Sequence, residues 1–465
     1  MQEKTQEEKQ QQFDHGMMLV GSGRLEDAFR HFDRMSQEYS DNGYVWGTFA
    51  VVANMQGKMA LAENAYRNAV VLDPETPLWR EQFALSILPG GRVGEALGLV
   101  EGLDTLGADF VQATALEFAD QTGEALAALG DLIERVKVYP FKNDGRELHP
   151  SHFMGRARYI AAKCLYREGE YGLALDQLDM CPESPDTLIE RGKCYEKLGR
   201  AEAWAVYQRA NAAHGHRFDL EIFRKQRKLE KNMQMTRQST LDGSKFIFIV
   251  GIPRSGTSLV EQVLGMHPEV TPMGERKDTA PIVRDLGSRG WPDLDLEDLD
   301  RVAGYYHKGD RDGTVPGTGF VTDKLPENWR YVPMLKALFP GCMIVHVIRN
   351  PEDALLSCFT QLFASSAMGW ANSVEGLRAY YRAWEDTEVG GIEIRYEELV
   401  SEPERVIPDL LGKLGLPPCV ECLSPHKSDR LVGTASYAQV KKPINTKSIG
   451  RGAKFAEYLA PVFEP

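Results

Sequence analysis

The segment Gly251-Ile-Pro-Arg-Ser-Gly-Thr-Ser258 follows an apolar run, Phe246-Ile-Phe-Ile-Val250, and a helix-like pattern begins at once after it. A Gly-rich turn between a strand and a helix turns backbone N–H groups and a helix N-terminus toward one point, which suits a phosphate. Pro253, Arg254, Ser255, Gly256, Thr257 and Ser258 are therefore candidate binding residues. The position after the second glycine is Thr257. Nucleotide-hydrolysing loops carry there the lysine that reaches the β- and γ-phosphates. The loop points to a nucleotide ligand whose chemistry is not ordinary ATP or GTP hydrolysis.

A second strand–turn–helix repeats this logic. Cys342-Met-Ile-Val-His-Val-Ile348 is a continuous apolar run, as in a parallel strand buried on both faces. Arg349-Asn350-Pro351 follows, with proline suited to a first helical turn. Arg349 offers a bidentate fork for a phosphate, and Ser357 lies two helical turns on. Either residue alone reads equally well as an ordinary surface group.

The elements that must hold these residues alternate between strand and helix. Residues 245–250, 320–324, 342–348 and 391–395 read as strands, and helices start near Ser258 and Pro351. The expected fold of this half is a P-loop-like α/β domain with a mainly parallel sheet.

The first half has a different grammar. Gly23, Gly57 and Gly91 are 34 residues apart, and Ala28, Ala62 and Ala96 keep the same step. Each glycine suits a tight turn between two helices, and each alanine a close helix approach. The pattern weakens near Gly123-Glu-Ala125 and returns at Gly169-Glu-Tyr-Gly-Leu-Ala174 and Gly199-Arg-Ala-Glu-Ala203. A helix–turn–helix period of this length resembles the tetratricopeptide repeat over roughly residues 10–215. Such repeats stack into a superhelix whose concave face binds peptides, or serve as a scaffold or dimerisation arm. The expected organisation is a helical repeat domain over 1–215, a charged helical linker over 216–243 and an α/β domain over 244–465. The basic run Phe223-Arg-Lys-Gln-Arg-Lys-Leu-Glu-Lys231 in that linker reads as a solvated helix face.

Composition bounds the function. The 465 residues imply several domains, and 43% hydrophobic content is that of a folded chain. A net charge of −13 argues against broad nucleic-acid binding. The polar Met1–Gln10 segment carries no secretory pattern, no apolar run reaches a membrane span, and seven scattered cysteines fit a reducing compartment. These features give a cytoplasmic expectation. Cys419-Val-Glu-Cys422 is a lone CxxC with no second pair, and reads as incidental.

The two anion motifs together resemble those of sulfotransferases. Gly251–Ser258 is similar to their 5′-phosphosulfate loop, and Val347-Ile-Arg349-Asn-Pro-Glu-Asp-Ala-Leu-Leu-Ser357 to their 3′-phosphate motif. Over roughly residues 245–460 the chain resembles tyrosylprotein sulfotransferases and bacterial sulfotransferases fused to tetratricopeptide repeats. The resemblance implies 3′-phosphoadenosine 5′-phosphosulfate (PAPS) as co-substrate, leaving as 3′,5′-ADP, with no metal. PAPS carries a phosphate at each end and no γ-phosphate, so a lysine at position 257 is dispensable. His267-Pro-Glu-Val-Thr-Pro-Met-Gly274-Glu275 looks like the segment whose glutamate is the general base. Thr322-Asp-Lys324 looks like the segment with a catalytic lysine. Arg395-Tyr396 resembles the motif whose tyrosine contacts the cofactor. Ser436-Tyr-Ala-Gln439 resembles the C-terminal cofactor loop, with Arg451 where relatives have lysine.

There are departures. Gln361 replaces a second arginine near the 3′-phosphate, and Arg276-Lys-Asp278 follows Glu275 in place of Glu-Thr-Arg. These leave the acceptor open: a peptide, a glycan or a small molecule, with a protein partner on the repeat face and a homodimer as further readings. The competing readings are a P-loop nucleotide kinase or phosphotransferase, which would need a loop lysine and a magnesium-binding carboxylate, and a non-catalytic repeat scaffold.

Overall fold

The computed structural model describes residues 6–140, 147–231, 235–276, 282, 295–307, 319–363, 365–428 and 442–464. The chain divides into two compact units, Met1–Ala203 and Trp204–Pro465. The segment 216–243 lies within the second unit.

The first unit is helical. Its helices are α1 (Gln6–Gly21), α2 (Leu25–Glu38), α3 (Gly43–Met55), α4 (Met59–Leu72), α5 (Pro77–Ile87), α6 (Val93–Val100), α7 (Leu106–Phe118), α8 (Thr122–Val136), α9 (Ser151–Glu168), α10 (Tyr171–Asp179) and α11 (Pro185–Lys197). The turn glycines Gly23, Gly57 and Gly91 have φ of 74°, 70° and 74°, the left-handed conformation that a Cβ disfavours. Five residues after each turn stand Ala28, Ala62 and Ala96, at most 1% exposed, where helices pack closely. The irregular phrase is resolved differently from the sequence expectation. Gly123 lies inside α8, and the left-handed turn residue is Asp120, with φ of 61°. Asp120 stands five residues before the buried Ala125, so an aspartate fills the glycine's place. Its short polar side chain makes it one of the few non-glycine residues that tolerate that conformation.

The boundary between the units falls at the first residue of α12 (Ala203–His214), and α13 (Leu220–Lys231) follows in the second unit. Most of the basic run on α13 is exposed, but Arg227 is buried. It pairs with Glu230, donates to Thr387 Oγ1 at 2.9 Å and lies 4.8 Å from the centre of the Trp329 ring. The solvated-face expectation fails there, because carboxylate, hydroxyl and aromatic face replace most of the water around the guanidinium, leaving the buried Nε–H unpartnered.

Among the described residues, five parallel strands form one sheet in the order β2 (Val270–Pro272), β3 (Phe320–Asp323), β1 (Phe246–Gly251), β4 (Met343–Ile348) and β5 (Ile392–Arg395). β1 is central and all six of its residues are buried, which explains its unbroken apolar run. β2 escaped the sequence reading because three residues ending in proline carry no alternation. Beyond β1 the chain turns into α14 (Thr257–Leu264). β3 lies on one side of β1 and β4 on the other, so the carboxyl ends of these strands border a topological switch point, where open α/β sheets bind ligands. The fold class is thus an α-helical repeat unit followed by a parallel-sheet α/β unit.

Candidate active site

A cavity of about 880 Å³ opens at the carboxyl ends of β1 and β4. Pro253, Arg254, Gly256, Thr257 and Ser258 form one wall. Arg254 has φ of 70°, a left-handed conformation rarely taken by arginine, and its carbonyl accepts Arg349 Nη1–H at 2.9 Å. Gly256 caps α14 with φ of 107°, and a Cβ there would lie 2.6 Å from the Tyr396 ring. Ser255 is buried behind the loop, its Oγ without a hydrogen-bond partner.

The two expected anion motifs meet. Arg254 Nε–H donates to Ser357 Oγ at 3.0 Å, and the Arg349 guanidinium carbon stands 4.5 Å from the centre of the Tyr396 ring. Arg349 Nη2–H donates to the Ser448 carbonyl at 2.6 Å, while its buried Nε–H has no partner. Burial holds the Arg254 pKa below its usual value, and the charges of Arg349 and Arg451 push the same way. Among the described residues, five cations, Arg254, Arg349, Lys442, Lys447 and Arg451, line the cavity against two carboxylates, Glu275 and Glu327. The site is electropositive in a chain whose net charge is −13.

Glu275 and Lys324 come from neighbouring strand ends. Lys324 Nζ donates to Glu275 Oε1 at 2.6 Å. The lysine side chain has no exposure, while that of Glu275 is 36% exposed and lines the cavity. Lys324 N–H also donates to the Gly274 carbonyl at 2.8 Å. Beside them Asp323 is fully buried and accepts from Tyr306 OH, from Asn328 Nδ2 at 3.1 Å and from the Arg276 N–H at 3.3 Å. Burial pushes its carboxyl up to about 7. The Arg276 guanidinium packs 4.1 Å from the centre of the Tyr306 ring.

Arg451 also lines the cavity, whereas Ser436 and Gln439 lie outside the described residues. Sequence reasoning missed what fixes the Arg451 loop. Asp353, buried in the helix Pro351–Phe359, accepts Gly450 N–H at 2.8 Å and Gly452 N–H at 2.6 Å. Gly452 packs so closely that a Cβ would lie 2.6 Å from Glu352. The signal was present as a Gly-Arg-Gly triplet, but nothing local pairs it with Asp353. Lys442, Asn445, Lys447, Ser448 and Glu327 were also missed. Among the described residues no group of three or more His, Cys, Asp and Glu side chains is disposed to hold a metal ion. No described helix is long and apolar enough to cross a membrane.

An uncharacterised protein of Aquifex aeolicus is 35% identical over 243 residues, covering 47% of this chain and 32% of its own length. The chain spans about a third to a half of the length of the curated relatives it matches. Among solved structures, a tetratricopeptide repeat protein from Parabacteroides merdae aligns with 47% of this chain and 82% of its own, at 13% identity and a TM-score of 0.38. The sulfotransferase domain of the Synechococcus PCC 7002 olefin synthase aligns with 48% of this chain and 98% of its own, at 19% identity and a TM-score of 0.32. Residues 247–420, which hold the Gly251–Ser258 loop, the Glu275–Lys324 pair and the Arg349–Ser357 segment, match the model of the sulfotransferase family.

Proposed function

We propose that the second unit transfers a sulfuryl group from PAPS to an acceptor hydroxyl. The observation that carries the reading is the hydrogen bond between Arg254 and Ser357, which joins two anion motifs at the wall of one cationic cavity. One phosphate site alone would suit many nucleotides. Two suit a nucleotide phosphorylated at both ends.

Residues of the cavity fit that donor. The loop N–H groups, Arg254, Thr257 and Ser258 would hold the 5′-phosphosulfate end. Arg349, Ser357 and Arg451 would hold the 3′-phosphate, and the unpartnered Nε–H of Arg349 is a donor ready for it. Tyr396, lying against Gly256 and Arg349, would offer its ring to the nucleoside. Ser436 and Gln439 belong to the same proposal from sequence alone.

The donor, when bound, supplies the sulfuryl group and carries away the electrons of the broken S–O bond as 3′,5′-ADP. Glu275 takes the acceptor's proton as the new O–S bond forms. Lys324 fixes the carboxylate that must do this, and its ammonium adds positive charge where negative charge develops. The cations hold both ends of the donor in line with the acceptor, which removes most of the orientational cost of the encounter.

The acceptor is a hydroxyl on a peptide, a glycan or a small molecule. The helical unit, built from stacked repeats, is proposed to present a protein partner or an extended acceptor. A cytoplasmic location belongs to the same proposal.

The test is direct: titrate 3′,5′-ADP into the protein by calorimetry, then screen hydroxyl acceptors with radiolabelled PAPS. Micromolar binding with label transfer is expected. Magnesium-dependent ATP turnover without 3′,5′-ADP binding would sink the reading in favour of a phosphotransferase.

A further inference from the structure

We infer that Glu261, which lies outside the cavity, is a positioning residue that ties the helix of the phosphate loop to the segment bearing Glu275. The inference rests on reading Glu275 as the base.

Glu261 lies on α14, one turn in from Thr257, and is 1% exposed. A buried carboxylate is unfavourable unless hydrogen bonds replace its water. Its Oε1 accepts the Gly274 N–H at 2.9 Å and the Thr322 Oγ1–H at 3.1 Å. Those two donors belong to the two chain segments that end in the reactive pair: Gly274 precedes Glu275, and Thr322 stands two residues before Lys324. Gly274 itself has φ of 72°, so the chain turns sharply there. Its carbonyl is held from the other side by Lys324 N–H. One carboxylate oxygen thus sits where loop helix, base segment and lysine strand converge.

This arrangement has a consequence for chemistry. The N-terminus of α14 faces the donor, and its second turn fixes the peptide that aims Glu275. Whatever sets the helix also sets the distance between base and donor. Without Glu261 the Gly274 N–H and the Thr322 hydroxyl lose their acceptor. The Gly274 turn keeps its carbonyl bond from Lys324 N–H and the flanking bonds of Met273 N–H to the Thr322 carbonyl and Arg276 N–H to Asp323, but has lost its tie to α14. A displacement of the base by about 1 Å lowers a rate roughly 100-fold while leaving donor contacts in place.

Two variants test this in the full chain. Glu261→Ala removes the acceptor, and Glu261→Gln keeps one acceptor oxygen. For Glu261→Ala, kcat should fall roughly 10- to 100-fold, with the Kd for 3′,5′-ADP within about threefold of wild type. Glu261→Gln should recover most of the loss. Amide exchange by NMR should find the Gly274 N–H protected in wild type and Glu261→Gln and fast in Glu261→Ala. Unchanged Gly274 protection in Glu261→Ala overturns the tether. A parallel loss of kcat and 3′,5′-ADP affinity overturns the positioning role, because it would mean that Glu261 supports the loop as a whole. If wild type binds no 3′,5′-ADP, the sulfuryl-transfer reading fails, and amide exchange in the unliganded protein still decides the tether.

Discussion

Lys324 donates to Glu275 at 2.6 Å from a side chain with no solvent exposure, while more than a third of the Glu275 side chain is exposed. The two partners therefore have unequal alternatives. Glu275 can turn to water if the lysine is lost. Lys324 has no such recourse, and an unpaired buried ammonium is strongly unfavourable.

Truncating the two residues should thus have similar effects on activity and opposite weight for stability. Glu275→Ala and Lys324→Met should each lower transfer at least ~100-fold, through loss of base catalysis or of charge stabilisation. In urea denaturation Glu275→Ala should destabilise the second unit by about 1–3 kcal/mol, and Lys324→Met by less than about 1 kcal/mol. Equal destabilisation by both would contradict the asymmetry.

Glu81 makes the first unit sensitive to pH. It is buried on α5, its Oε1 accepts from Thr105 Oγ1, and burial pushes its carboxyl up to about 7 against the opposing hydrogen bond. A folded-state pKa above the unfolded value means that the folded form keeps its proton longer. The stability is fully present below about pH 4.5 and is lost as pH rises through about 7. The loss amounts to at most about 3 kcal/mol. Urea midpoints of the helical unit should fall between pH 5 and pH 8 in wild type, and Glu81→Gln should flatten that fall. A slope identical in both proteins would assign the effect elsewhere.

Gly256 and Tyr396 test the shape of the phosphate loop. A Cβ at position 256 would lie 2.6 Å from the Tyr396 ring on a backbone with φ of 107°. Gly256→Ala must push the ring off its place beside Arg349 and also strain the loop, which costs about 1–2 kcal/mol. The Kd for 3′,5′-ADP should rise roughly 10-fold or more. In a Tyr396→Ala background the collision is gone, so adding Gly256→Ala should cost only the strain. Full additivity of the two changes would show that the ring does not press on the glycine.

The residues legible by type and spacing share one property: each belongs to a motif that is continuous along the chain, even where its partner in the fold is distant. The phosphate loop and the Arg349–Ser357 motif each fit within a single strand–turn–helix, so type and spacing reveal them. The repeat was legible because turn glycine and packing alanine recur at fixed separation, and it blurred where Asp120 took the glycine's conformation without its identity. Glu261 and Asp353 were silent for the complementary reason. A carboxylate in a helix reads as solvated until the fold brings it a donor, and the donors lie 13 and 61 residues from Glu261 and 97 and 99 residues from Asp353. Arg227 failed likewise, because its aromatic and hydroxyl partners come from distant segments.

Asp353 yields the last prediction. Its carboxylate gathers the N–H groups of Gly450 and Gly452, on either side of Arg451, and so presents that arginine to the cavity. Asp353→Ala leaves both N–H groups without their acceptor and frees the loop, although residue 353 does not itself line the cavity. It should weaken 3′,5′-ADP binding by roughly 10- to 100-fold, comparable to Arg451→Ala. Because both changes act through the same arginine, their effects should not add. The double variant should bind about as weakly as the weaker single variant, with a coupling energy of about 1–3 kcal/mol in the cycle. Asp353→Asn, with a single acceptor oxygen, should fall between. If the two losses add in full, Asp353 acts on the donor by some path other than Arg451.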